Sequence, residues 1–103
     1  MKKSKTSRGF SFVEFTDLYG VKCSIQKSSL ATNDAIWFGV DNAAPKIMAS
    51  QAKSFGVDTK ETIGWVPYPI PDEVLMTTRM HLNRKQVAKL LLILQKFVDT
   101  GEI

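Results

Sequence analysis

The chain has 103 residues, a length that suits one domain and can bury a core without staples. Hydrophobic residues make up 44%, ordinary for a soluble globular fold, and a single cysteine excludes an internal disulfide. Lys2, Lys3, Lys5 and Arg8 account for four of the 14 Lys and Arg; the rest are balanced by 10 Asp and Glu, so the net charge of +4 belongs to the N-terminus.

No apolar run follows those basic residues, and no segment is long enough to span a bilayer. Residues 1–9 therefore read as a basic tail, solubilising or able to touch nucleic acid or an acidic partner. Residues 10–103 read as a single domain. One cysteine and the missing leader point to a reduced, intracellular setting.

Residues 10–16 and 21–27 read as two strands joined by a turn at Asp17-Leu18-Tyr19-Gly20. Val21, Cys23 and Ile25 alternate with Lys22, Ser24 and Gln26. Setting Phe15 opposite Val21 brings Val13 to Cys23 and Glu14 to Lys22, a register that satisfies both faces. It also places Phe10 and Phe12 on the polar face, where they need a cover or a partner. Residues 35–40, apolar on both faces, suit a central strand, with Trp37 expected in the core. Residues 43–56 carry a loose helical stripe between Pro45 and Gly56 and read as a short helix.

Trp65-Val66-Pro67-Tyr68-Pro69-Ile70-Pro71 has three prolines at alternate positions and suits a sheet edge or a surface path. Trp65 and Tyr68 are held stiffly there, which suits recognition aromatics or a Trp65 that plugs the end of the sheet. Residues 73–82 read as the last strand, with Val74, Met76, Thr78, Met80 and Leu82 on one face. Leu75, Thr77, Arg79 and His81 take the other.

The clearest element is the last. Asn83 with Gln86 three residues on forms a capping box, and Gly101 suits a left-handed stop. Between them Val87, Leu90, Leu91, Leu94, Phe97 and Val98 form a helical stripe, widened by Ile93, that is expected to cover the sheet. The fold class is α+β: an antiparallel sheet of about four strands with one C-terminal helix on a face.

Catalytic signals are poor. Cys23 falls on the core face of its strand, His81 lacks metal-ligating companions, and the glycines form no phosphate loop. No enzyme activity, cofactor or metal is expected. Basic side chains are the stronger signal. Arg84 and Lys85 sit in the first helical turn, where positive charge opposes the macrodipole, and Lys85 and Lys89 repel at a four-residue spacing. Lys85, Lys89 and Lys96 share the face opposite the apolar stripe, together with Leu92 and Asp99. That combination suits a protein partner or a homodimer contact. Arg79 and His81, from one strand face, suit a phosphate or carboxylate.

Several stretches together resemble a group of small bacteriophage- and prophage-encoded proteins with no assigned activity. They are Gly64-Trp65 through Pro71, Thr78-Arg79-Met80-His81-Leu82, Gln86-Val87 and Phe97-Val98-Asp99-Thr100-Gly101. Phe15-Thr16-Asp17 and Ser28-Ser29-Leu30 extend the likeness over residues 10–103. The resemblance implies a bacterial cytoplasm and a host-directed accessory role. The leading expectation is a non-catalytic inhibitor occupying a host defence protein. The alternative is a nucleic-acid or nucleotide-binding module that uses the basic helix face and tail. The candidate partner-binding residues are Trp65, Tyr68, Arg79, His81, Arg84, Lys85, Lys89, Leu92 and Lys96.

Overall fold

A computed structural model describes all 103 residues, which form two compact units: residues 1–41 with 78–103, and residues 42–77. In chain order the elements are β1 (Lys2–Lys5), β2 (Ser11–Thr16), β3 (Lys22–Lys27), β4 (Ala35–Val40), β5 (Lys46–Met48), α1 (Ala49–Ala52), a 3-10 turn (Lys53–Phe55), β6 (Trp65–Pro67), β7 (Arg79–Asn83) and α2 (Arg84–Thr100).

The first unit is an antiparallel sheet of order β1-β2-β3-β4-β7, followed by α2. The chain is thus α+β, as its pattern of strands and one long amphipathic helix requires. The sheet has five strands because the basic N-terminal residues are an edge strand and not a loose tail. Lys3 pairs with Val13 and Lys5 with Ser11. The turn at Thr6–Gly9 that makes this possible is closed by Gly9 N–H donating to the Thr6 carbonyl at 2.8 Å.

The β2–β3 register is displaced by two residues from the expected one: Phe15 faces Cys23, Val13 faces Ile25 and Glu14 faces Ser24. The turn explains the shift. The Asp17 carboxylate accepts from Tyr19 N–H at 2.8 Å and Val21 N–H at 2.9 Å, and Asp17 N–H donates to the Val21 carbonyl. Asp17 and Val21 therefore close the hairpin. An even shift leaves every side chain on its expected face, so the apolar and polar sets survive it. The apolar face carries Val13 and Phe15 from β2, Cys23 and Ile25 from β3, Ile36, Phe38 and Val40 from β4, and Met80 and Leu82 from β7. Phe15 and Phe38 meet edge to face there, 6.1 Å apart.

Two further expectations change. The last strand begins only at Arg79, because Pro71–Val74 forms a turn in which Val74 N–H donates to the Pro71 carbonyl. Residues 43–56 hold a short strand, one turn of α-helix and one 3-10 turn in place of a single helix. In this second unit β5 pairs with β6, and Ala49, Ala52 and Val66 form a small core with Ile47 and Val57 packed against it.

Both ends of α2 are built as the sequence predicts. Gln86 N–H donates to Asn83 Oδ1 at 2.9 Å, Asn83 N–H donates to Gln86 Oε1 at 3.0 Å, and Gly101 closes the helix at φ 75°. Its apolar stripe, however, is not in the core. No residue of α2 is buried, and Leu91 and Leu94 are 61% and 52% exposed. The cause is the junction. β7 ends at Asn83 and α2 starts at Arg84, with no loop in which the chain could turn back over its own sheet. Only the first turns of α2 adjoin the sheet, where Val87 and Ala88 share an open cleft with Ala35, Ile36 and Leu82.

Candidate functional site

The first unit offers two polar surfaces, and the candidate residues from its strand and helix divide between them. One is the sheet face opposite the apolar one. Cross-strand pairing aligns Phe12, Gln26, Trp37 and His81 in one row, and Glu14, Ser24, Gly39 and Arg79 in the next. Trp37 and His81 stack in parallel with ring centroids 3.9 Å apart, and the Arg79 guanidinium lies 5.8 Å from the Trp37 ring. Arg79 Nη1 donates to Gln26 Oε1 at 2.9 Å. His81 Nε2 and Ser28 Oγ are hydrogen-bonded at 2.9 Å.

Arg79 and His81 thus share a strand face as expected. Thr77, expected beside them, lies outside β7. Trp37 is half-buried on this polar face and does not belong to the core. Gly39 brings β7 close: a Cβ there would stand 2.7 Å from the Thr78 carbonyl oxygen. Ser24, wholly buried in the same row, has no hydrogen-bond partner for its hydroxyl. Sequence reasoning missed Gln26, Ser28 and Trp37 as neighbours of Arg79 and His81. The usable signal was parity, since Trp37 alternates with the apolar Ile36 and Phe38.

The second surface is on α2. At about 100° per residue, Lys85, Lys89, Leu92 and Lys96 fall within a sector of roughly 60°. Leu92 is 75% exposed. Arg84 stands apart from this line because it has a partner. Asp34 receives Lys27 at 3.0 Å and Arg84 at 3.7 Å, so a first-turn arginine that opposes the helix dipole is offset by a carboxylate. The hydrogen bond from Lys27, helped by the charges of Lys27 and Arg84, holds the Asp34 carboxyl below its usual range. Lys85, Lys89 and Lys96 meet no carboxylate; Lys96 Nζ reaches only the backbone oxygen of Ile103, at 3.4 Å.

Trp65 and Tyr68 belong to the second unit. Trp65 lies on β6 opposite Met48 and is 66% exposed, while Tyr68 is half-buried with its N–H donating to the Pro45 carbonyl. Cys23 is buried on the apolar face, and that burial pushes its thiol pKa up, which suits a packing residue and not a nucleophile. No cluster of His, Cys, Asp and Glu could hold a metal ion, and no helix is long and apolar enough to cross a membrane. No protein-family model, curated protein or solved structure matches the chain.

Proposed function

We propose that the protein is a non-catalytic binding protein that occupies the surface of a host protein in a bacterial cytoplasm, in the manner of a bacteriophage inhibitor of host defence. The observation that carries this reading is Leu92, 75% exposed beside three lysines that form no ion pair. Helix stability does not favour that face: Lys85 and Lys89 repel one another, and the leucine gains nothing from water. A protein surface with an apolar pocket rimmed by acids would use both features, whereas a polyanion would use mainly the charges. The origin of the reading in phage biology rests on the sequence resemblance.

A nucleic-acid or nucleotide ligand is the second reading, favoured by the sheet face. Trp37, His81, Arg79 and Phe12 make an aromatic and basic surface of the kind on which bases stack and phosphates pair.

The two readings separate by mutation. A tagged chain is used to capture its partner from nuclease-treated bacterial lysate, and affinities are then measured with purified partner. Leu92→Asp is expected to weaken binding at least as much as Lys89→Glu, without lowering the melting temperature. Loss of binding with Lys89→Glu alone, or with Trp37→Ala alone, would replace the protein partner with a polyanion.

A further inference from the structure

We infer that the partner missing from the apolar surfaces of this chain is a second copy of itself, with α2 of each copy lying across the apolar sheet face of the other. The buried hydrophobic residues of the whole chain are Cys23, Ala35, Ala49, Ala52 and Val66. No large side chain is among them, which is too little for a 103-residue fold to stand alone. The missing core is present as two uncovered halves. One is the sheet face, where Val13, Ile25, Ile36, Phe38 and Leu82 are only half-buried and Met80 is 53% exposed. The other is the α2 stripe, where Leu90, Leu94 and Phe97 are 38%, 52% and 54% exposed.

The two halves suit one another but within one chain they meet only at Val87, because α2 follows β7 without a loop. At 1.5 Å per residue α2 is about 26 Å long. The four strands that carry the apolar face measure roughly 15–20 Å across. A helix laid over them from β7 towards β2 would bring its C-terminal end above β1. Lys3 and Lys5 stand on that same face, since Lys3 pairs with Val13 and Lys5 with Ser11, and Glu102 follows the end of the helix. The charges are complementary. A twofold pair makes this contact twice, on the order of 2,000 Å² in total, which is within the range of obligate dimers. The face bearing Lys85, Lys89, Leu92 and Lys96 points away from the stripe and stays open, so self-association and host binding use different sides of α2.

Sedimentation equilibrium of the full chain tests the assembly, and cysteine pairing tests its geometry. The expected mass is twice 11.5 kDa. Leu94→Asp is expected to abolish the dimer, as single chains or as unfolded material, while Leu92→Asp keeps it. In a Cys23→Ser background, Phe38→Cys and Leu94→Cys are placed on two co-expressed chains that carry different tags. Oxidation should link the two kinds of chain to each other. A wild-type mass of one chain at every concentration would overturn the proposal, as would a Leu94→Asp chain that remains dimeric. Linkage only between two Leu94→Cys chains would mean that helices pair with helices, and would overturn the arrangement. Loss of host binding in Leu92→Asp with the dimer intact would leave this inference standing, because the two readings fail separately.

Discussion

Adding one methyl group at Gly39 probes how closely β7 approaches β4. Gly39 pairs with Arg79 and holds φ at 153°, where side chains are disfavoured. A Cβ would lie 2.7 Å from the Thr78 carbonyl oxygen and 3.0 Å from Arg79 Cα. Both are backbone atoms, so no rotamer change relieves the overlap. Either the strand pair opens or Gly39 takes a new conformation. Backbone strain of about 1–3 kcal/mol and overpacking of about 1–3 kcal/mol together put Gly39→Ala at roughly 2–6 kcal/mol of destabilisation. Urea melts at one fixed protein concentration, followed by far-ultraviolet circular dichroism, measure it. Near-ultraviolet dichroism should weaken in parallel, because the Trp37–His81 stack spans the same two strands. A cost below about 1 kcal/mol with an unchanged aromatic signal would refute the close approach of β7.

Asn83→Ala removes the side-chain acceptor of the capping box and should cost about 1 kcal/mol, with lost helical dichroism, in the same melts. Asp34 sets a pH dependence. Its carboxyl is held by Lys27 and Arg84 below the ordinary value of 3.8, so the unfolded chain takes up its proton first as pH falls. The stability it contributes is complete above that value and is lost as pH drops through the folded one. Melting temperature should therefore decline in that acid range more steeply for the wild type than for Asp34→Asn, and equal slopes would exclude the contribution.

Local chemistry was the most legible part of the sequence. Asn83, Gln86 and Gly101 act within one turn of themselves, and both helix ends are where they read. Strand faces were legible too, because alternation survives an even slip: Val13, Phe15, Cys23 and Ile25 share a face although the register moved by two. What was lost depends on distance along the chain. Pairing of Lys2–Lys5 with β2 is invisible in a run of lysines. The row containing Gln26, Trp37 and His81 needs a register across three strands that no local pattern specifies. The α2 stripe says that the helix requires a cover. The absence of any residue between β7 and α2, which decides where that cover must come from, shows only once the strand's end is placed.

The lysines of β1 have a role that their charge alone does not suggest. β1 closes one side of the sheet and has β2 as its sole neighbour, so its outer backbone amides and carbonyls are free to receive another strand. Lys2, Lys3 and Lys5 fill three of its four positions. A second β1 approaching edge to edge would bring like charges into direct opposition, a cost that flat uncharged edges lack. The lateral route, by which a sheet grows into a ribbon and then a fibre, is discouraged at that border. The broad apolar side is a different surface on which copies can meet, and association there stops once each copy has been covered.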